Sequence, residues 1–236
     1  MKPVYHRVLL KLSGEALSGG NGQGFDPEVV GQIAEVIARM SKMGVQVAVV
    51  SGAGNFWRGR DAKGMVRTTA DYMGMLGTMM NCLMLSDAIE RSGVKTLIQS
   101  ALEVSRVAGS FNRKEAISFL EEGGVVLFAC GTGEPYFSTD TTCALRALEV
   151  EADCILVAKN GVEGVLTGDP RDGGHYDLIR ETTFDELLAR NLKVMDATAF
   201  AMCRENGMSM RIFGMDDLEN IVRVACGEEI GTTVNA

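Results

Sequence analysis

The stretch Arg7-Val-Leu-Leu-Lys-Leu-Ser-Gly-Glu15 decides the fold of this chain. Its apolar residues run almost without a break, which is typical of a strand whose two faces are both buried. One charge, Lys11, interrupts the run near its end. A buried lysine costs free energy unless an anionic group meets it. The stretch therefore predicts a buried strand with an anionic partner near its C-terminal end.

A turn follows this strand at Ser13-Gly14, and its chemistry suits phosphate. Gly14 can adopt a positive φ and lets a ligand approach the backbone closely. Exposed N–H groups in such a turn, beside a cation, bind phosphate oxygens well. The alternative is a lysine that reaches solvent at a strand end, followed by an ordinary turn. The turn alone leaves both interpretations open.

Composition and charge limit the class of protein. The 236 residues are 46% hydrophobic and 23% charged, and the net charge is −8. An acidic chain argues against nucleic acid or an anionic membrane as the main partner. No apolar stretch reaches the ~18 residues that a membrane-spanning helix needs. Charged residues run through the N-terminal apolar segment, so it does not resemble a signal peptide. We expect a cytoplasmic protein.

Cysteine and histidine are arranged in a way that disfavours several kinds of site. The six cysteines, at positions 82, 130, 143, 154, 203 and 226, have no C-x-x-C spacing, and His6 and His175 are the only histidines. This pattern predicts neither a structural zinc site nor a disulfide framework. Most of the cysteines lie in apolar segments and are interpreted as small core residues. Catalysis by a nucleophile and a histidine base is also poorly supported.

Strand-like and helix-like segments alternate along the rest of the chain. Further strands are expected at Val45–Val50, Val94–Gln99, Val125–Ala129, Cys154–Ala158, Met210–Phe213 and Ile230–Val234. Helices are expected to begin at Asp26, Asp71, Asn112, Thr183, Asp196 and Asp217, and one more to pass through Ala144–Leu148. This alternation predicts an α/β fold, a three-layer αβα sandwich with a mostly parallel central sheet. Because the sequence shows no linker-like segment, we expect one domain over residues 1–236.

Two segments depart from simple alternation. Leu17–Gly24 is rich in glycine and is expected to form a loop. The long helix expected from Asp71 to Arg91 carries a Met-rich stripe, with Met73, Leu76, Met79, Met80 and Leu83. Such a stripe fits either core packing or a subunit interface.

Turns rich in glycine or cations follow several of the predicted strands. They are Lys11–Gly14, Gly52–Asn55, Gly131–Asp140 and Lys159–Asn160. Ligands of parallel sheets collect at the carboxyl ends of the strands, where these turns fall. The P-loop pattern is missing, and the turn at Gly52 lacks the third small residue of G-x-G-x-x-G. Together with Arg58, the turns favour a site where two phosphate-bearing groups meet.

Five motifs give the chain a resemblance to a known family. They are Lys11-Leu-Ser-Gly-Glu-Ala-Leu17, Gly52-x-Gly-Asn-x-x-Arg-Gly59, Ala70-Asp-Tyr-Met-Gly-Met-Leu76, Gly131-Thr-Gly-Glu-Pro-Tyr-Phe-Ser-Thr-Asp140 and Leu192-Lys-Val-Met-Asp196. In this order, and over essentially the whole chain, they resemble the bacterial uridylate kinases (UMP kinases) of the amino acid kinase superfamily. The resemblance implies transfer of the γ-phosphate of ATP to UMP, giving UDP and ADP in pyrimidine nucleotide biosynthesis. It also implies Mg²⁺ with ATP, a homohexamer, activation by GTP and inhibition by UTP.

The resemblance also implies roles for individual residues. Residues of the ATP site would be Lys11, Leu12, Ser13, Gly14, Gly54, Arg58, Asn160, Leu166 and Asp169. Residues of the UMP site would be Ala53, Asp71, Thr132, Gly133, Glu134, Pro135, Tyr136, Phe137, Ser138 and Thr139. Lys11, Arg58 and Asp140 would be catalytic, with Asp196 a second acidic position nearby. The acceptor part would span roughly residues 1–150 and the ATP part roughly 151–236.

Two positions depart from the family pattern. Ala53 stands where relatives often have glycine, so its φ should be negative. Leu166 stands where relatives often place Tyr or Phe against adenine.

The chemistry implied by the resemblance needs no general base. The nucleophile is a phosphate oxygen, and because its second pKa is ~6 it is mostly dianionic at neutral pH. The protein has to align two anions and neutralise charge that moves during transfer, which cations, N–H groups and Mg²⁺ can do.

Other interpretations stay open at this point. Asp71 could be only a helix cap, Thr132 and Thr139 only turn hydroxyls, and Asp169 only part of a turn with Pro170. The whole chain could instead be a superfamily kinase acting on carbamate, aspartate or glutamate. It could also be a nucleotide-binding storage or sensor protein without turnover.

Overall fold

A nine-stranded sheet runs through the computed structural model, which describes residues 2–58, 63–168, 174–192 and 194–236. In these ranges the strands are β1 Arg7–Leu12, β2 Gln46–Ser51, β3 Thr96–Ser100, β4 Gly109–Ser110, β5 Val125–Ala129, β6 Cys154–Lys159, β7 Val165–Leu166, β8 Leu178–Ile179, β9 Glu181–Thr183, β10 Met210–Gly214 and β11 Thr232–Asn235. The sheet order is β4-β3-β5-β2-β1-β6-β10-β11-β9, and β7 and β8 form a separate pair. Among the described strands of the large sheet, only β10 and β11 are antiparallel neighbours. The predicted mostly parallel sheet is confirmed.

Helices cover both faces of this sheet. The described helices are α1 Pro27–Lys42, α2 Arg67–Arg91, α3 Arg113–Glu121, α4 Thr139–Glu149, α5 Phe184–Ala189, α6 Ala197–Glu205 and α7 Glu219–Ala225. Apolar residues of α1, α2 and α7 pack in one core, on one face of the sheet. Those of α3, α4, α5 and α6 pack in a second core, on the other face. The three-layer sandwich is therefore present as predicted.

Strand β1 lies in the middle of the sheet, hydrogen-bonded to β2 on one side and β6 on the other. Because successive side chains of a strand alternate between its faces, Val8, Leu10 and Leu12 enter the core of α1 and α2. Leu9 enters the opposite core, and Lys11 has the same orientation as Leu9. The register thus directs the lysine towards the layer that contains α4.

Several helix starts follow from local sequence as predicted. Asp26 caps α1 through hydrogen bonds from two backbone N–H groups, and Pro27 occupies the first turn. Thr183 and Glu186 form a reciprocal capping box at α5, and Asp196 caps α6. Asn112 caps α3 by accepting from the Glu115 N–H. Each cap satisfies N–H groups that the first turn of a helix leaves unpaired.

Two expectations about local structure were wrong. The segment expected to be a glycine-rich loop begins with a 3₁₀ helix, Gly14–Asn21, in which Leu17 and Ser18 are buried. Helix α2 begins at Arg67, one turn before Asp71, so Asp71 is not its cap. Gly14 does not have a positive φ. The short strands β4, β8 and β9 were missed because two or three residues give no periodic signal.

Helix α2 is apolar on more than its buried side. Met75 and Met79 pack in the core, whereas Met73, Leu76, Met80 and Leu83 are exposed by 38–48%.

Five of the six cysteines are buried, as expected of core residues. Within the described residues, no helix combines the length and the apolar character needed to cross a bilayer.

Candidate active site

A cleft of ≈ 410 Å³ opens at the carboxyl ends of the central strands. Its walls come from the end of β1, the turn after β2, the N-terminal half of α2 and the loop that leads into α4. Three predicted turns therefore meet in one cavity, as the parallel sheet requires. The volume lies in the range of small-molecule sites, about 300–1,000 Å³.

Lys11 finds its anionic partner at the floor of this cleft. Its Nζ lies 3.0 Å from Oδ1 of Asp140, in the first turn of α4, and both side chains are mostly buried. Burial lowers the pKa of Lys11, but the negative charges around it, Asp140 first and Asp196 among the others, together outweigh burial, so the pKa lies above its ordinary value. Lys11 is therefore a fixed positive charge at neutral pH, and it points into the cleft rather than into bulk solvent.

A second lysine lies close to the first. Lys159, at the end of β6, donates from Nζ to the carbonyl of Val194 at 3.1 Å. Burial and the positive charge of Lys11 together hold the pKa of Lys159 below its ordinary value. The ends of β1 and β6 thus concentrate positive charge, which favours an anionic ligand between them.

The turns after β1 and β2 approach each other closely. An added Cβ on Gly14 would collide with the carbonyl of Gly52 and would lie 2.8 Å from Oδ1 of Asn55. An added Cβ on Gly52 would meet the backbone nitrogen of Gly14 at 3.5 Å and Oγ1 of Thr139 at 3.7 Å. The close approach explains the glycine at position 14, whereas a Cβ on Gly52 would make only ordinary van der Waals contacts; the space beside Gly52 faces a backbone nitrogen and a hydroxyl. Such donors suit phosphate oxygens.

Arg58 lies at the rim of the cleft and pairs with Glu15 of the 3₁₀ helix. Each of the two side chains is a little under half exposed. The pair connects the turn after β1 to the turn after β2. Arg58 is well placed to contact an anion in the cleft, and its guanidinium is paired with the carboxylate of Glu15.

Asp71 holds the loop that leads into α4. Its Oδ2 accepts a hydrogen bond from the N–H of Tyr136 at 2.9 Å, and both its oxygens lie 2.8 Å from Nε of Arg67. Tyr136 has a φ of 73°, in the left-handed region, and the guanidinium of Arg67 lies 5.4 Å from its ring centroid. The carboxylate and the arginine thus fix an unfavourable backbone conformation at the outer wall of the cleft.

Asp196 ties α6 to the start of α4. Its Oδ2 accepts hydrogen bonds from the hydroxyls of Ser138 and Thr141, and its Oδ1 accepts from the N–H of Ala199. Burial raises the pKa of Asp196, but these hydrogen bonds outweigh it and leave the pKa below its ordinary value. Asp196 is therefore an ionised anchor for the helix that carries Asp140.

Most of the predicted site residues come together in the cleft. Its lining includes Lys11, Leu12, Ser13, Gly14, Ala53, Gly54, Arg58, Asp71, Thr132, Glu134, Tyr136, Phe137, Ser138, Thr139 and Asp140. Gly133 and Pro135 belong to the same loop but do not line it. Asn160 and Leu166 lie beyond β6, outside this lining, and Asp169 falls outside the described residues. Ala53 does not have a positive φ, as expected for alanine at that position.

Sequence reasoning assigned no role to two charged residues that line the cleft. Glu15 lies within the Lys11–Leu17 motif without an implied role, and Arg67 lies outside all five motifs. The signal for Arg67 was its spacing from Asp71, because residues four apart on a helix face the same side. No comparable rule connects Glu15 to Arg58, which pair only after two turns fold against each other.

Comparison with known proteins identifies the family. The model of the amino acid kinase family matches residues 6–214. The chain belongs to the amino acid kinase family. Its relatives include a uridylate kinase from Nocardioides sp., which is 50% identical over 234 residues, 98% of each chain. The family resemblance and the fold inferred from the motifs are thereby confirmed.

Solved structures of this family have the same fold. UMP kinase from Bacillus anthracis has a TM-score of 0.94 and 34% identity, covering 98% of this chain and 96% of its own. UMP kinase from Ureaplasma parvum has a TM-score of 0.91 and 36% identity over both whole chains. Uridylate kinase from Archaeoglobus fulgidus has a TM-score of 0.74 and 27% identity, covering 96% and 99%.

Proposed function

We propose that this chain transfers the γ-phosphate of ATP to UMP, giving UDP and ADP. The observation that carries the proposal is the buried Lys11, paired with Asp140 where three phosphate-suited turns meet. The 50% identity to a uridylate kinase over almost the whole chain supports UMP as the acceptor.

The cleft residues divide between the two substrates. The acceptor phosphate would lie against the N–H of Ala53 and the hydroxyl of Thr139, and its ribose against Asp71. The loop Thr132–Ser138 would enclose the uracil base. The phosphates of ATP would lie against Lys11, Ser13, Gly14, Gly54 and Arg58. Its adenosine would lie beyond β6, near Asn160, Leu166 and Asp169, in the roughly 151–236 part of the chain.

In this arrangement the protein acts mainly through charge and position. The attacking oxygen of UMP is already ionised at neutral pH, because the second pKa of a phosphate monoester is ~6. Lys11 lies where the transferred group would pass and stabilises charge that moves to the leaving oxygen of ADP. Asp140 holds Lys11 in place, and Arg58 shields the repulsion between the two substrates. No described residue needs to remove a proton from the nucleophile.

A divalent metal ion accompanies ATP in this chemistry, and we propose Mg²⁺. Magnesium is usually held by one or two carboxylates together with substrate phosphates. Asp140 supplies a carboxylate of this kind beside the phosphate turns, so the residues present fit the ion. When bound, the ion would neutralise phosphate charge next to Lys11.

Assembly, control and location stay predictions. The exposed apolar face of α2 supports a subunit interface, in line with a homohexamer. Activation by GTP, inhibition by UTP and a cytoplasmic location stay expectations from the resemblance. Sedimentation and a titration with GTP and UTP would test assembly and control.

The proposed reaction is tested by offering several acceptors in one assay. ADP release is measured with ATP and Mg²⁺ in the presence of UMP, CMP, aspartate or carbamate. We expect turnover with UMP far above that with the other three. Preference for aspartate or carbamate would favour another kinase of the superfamily. ATP binding without turnover on any acceptor would favour a storage or sensor protein.

A further inference from the structure

Two asparagines form a closed hydrogen-bonded pair beneath the cleft. Asn55, in the turn after β2, donates from Nδ2 to Oδ1 of Asn81 at 2.9 Å. Asn81, in the middle of α2, donates back from Nδ2 to Oδ1 of Asn55 at 3.0 Å. Asn55 and Asn81 are only 1% and 0% exposed. Polar groups this deeply buried are stable only when they are paired, so this amide pair has one well-defined geometry.

Each amide uses its second N–H on the backbone of a different segment. Asn55 donates to the carbonyl of Gly24, just after the 3₁₀ helix, at 2.9 Å. Asn81 donates to the carbonyl of Gly52 at 2.7 Å, which makes it the shorter of the two bonds. All four N–H groups of the amide pair are therefore satisfied. Helix α2 is linked through Asn81 to the phosphate turn after β2.

The bond to Gly52 fixes the orientation of a whole peptide unit. A trans peptide is planar, and its carbonyl and N–H point in opposite directions. The carbonyl of Gly52 points down to Asn81 in the core, so the N–H of Ala53 points the other way, towards the cleft that Ala53 lines. Backbone hydrogen bonds hold the segment on either side of this peptide, from the N–H of Gly52 to Leu12 and from the N–H of Trp57 to Ala53. Glycine has no side chain to restrict the peptide itself, so the bond from Asn81 is a direct constraint on its orientation.

We propose that Asn81 is a positioning residue for the acceptor phosphate, acting through the Gly52–Ala53 peptide. It keeps the N–H of Ala53 directed at that phosphate, and Asn55 keeps Asn81 in place. The inference rests on the proposed function, since it assigns the N–H to the phosphate of UMP. It predicts that Asn81 governs acceptor binding although its side chain has no contact with the cleft.

The test replaces Asn81 with alanine and measures steady-state kinetics with UMP and ATP varied separately. We expect KM for UMP to rise about tenfold or more, the effect of misdirecting one hydrogen bond to a charged group. KM for ATP should change less than about twofold. The matched control is Cys82→Ala, the next residue of α2, which is also buried and tests destabilisation alone. If Asn81→Ala does not fold, Asn81→Ser replaces it in the same comparison.

The outcomes separate the two proposals. A rise in KM for UMP alone, absent from Cys82→Ala at a similar melting temperature, supports the positioning role. Equal changes in both KM values, or no difference from Cys82→Ala, would overturn it and leave UMP phosphorylation intact. Failure of the unmodified protein to phosphorylate UMP would overturn the proposed function itself.

Discussion

Replacing Lys11 with methionine removes the buried charge and keeps most of the volume of its stem. A unit charge about 4 Å from a phosphoryl oxygen is worth about 4 kcal/mol at an effective dielectric constant of ~20. Asp140, 3.0 Å away, cancels part of this charge, and the side chain of Lys11 keeps 16% exposure. In the wild type, roughly two thirds of the interaction with the phosphoryl oxygen is left after this cancellation. Because Lys11→Met removes that remainder, we expect kcat to fall on the order of 10²-fold.

The assay follows ADP release at saturating ATP and UMP, and the melting temperature reports folding. Lys42→Met is the matched control, because Lys42 bonds to the carbonyl of Ser92 at the far end of α1. It should keep normal kcat. Lys11→Arg restores the charge with a different shape and should recover part of the rate. If Lys11→Met folds and keeps kcat within about threefold of normal, the electrostatic role assigned to Lys11 is refuted.

Three further changes test other parts of the cleft. Asp71→Asn should mainly raise KM for UMP, since the amide oxygen can still accept from the loop N–H but the charge is lost; a fall in kcat alone would contradict this. Gly14→Ala should lower the melting temperature and activity together, with a cost of about 1–3 kcal/mol for the collision with the carbonyl of Gly52. The control Gly20→Ala adds a methyl in open space and should be nearly neutral. The pKa of Asp196 is lowered in the folded state, so its stabilising effect is complete above the ordinary carboxyl pKa and is lost as pH falls through the folded value. At neutral pH the wild type should have a higher melting temperature than Asp196→Asn, and the two melting temperatures should converge below pH about 4, because that of the variant depends less on pH.

The alternation of strands and helices was enough to predict the sheet. Elements that pack into the two cores carry long apolar runs, and such runs are visible in the sequence. Strand β1 and its lysine were identified correctly for this reason, and so were the caps at Asp26, Thr183 and Asp196. The start of α2 was misplaced because Asp71 has the chemistry of a cap. Its carboxylate instead bonds to Tyr136, 65 residues later. A local rule cannot detect a partner that distant.

The same limit explains what was missed in the site. The sequence indicates only that Gly14 can adopt a positive φ and leave room for a ligand, whereas its constraint is the carbonyl of Gly52 in the turn after another strand. The pairing of Arg58 with Glu15 likewise depends on two turns meeting. The motif resemblance indicated that these residues lie near one another, but not their distances or orientations. Those distances and orientations distinguish a residue that contacts phosphate from one that only supports the fold.

Among the described residues that line the cleft, three are cations, and each has a carboxylate partner: Lys11 with Asp140, Arg58 with Glu15 and Arg67 with Asp71. Unpaired cations would attract phosphate more strongly, but they would bind substrate, transition state and product alike. Uniform binding does not accelerate the chemical step. A paired cation is held in position before the substrate arrives, so it costs little reorganisation when charge moves during transfer. The paired arrangement is therefore better suited to stabilising phosphoryl transfer than to storing nucleotide.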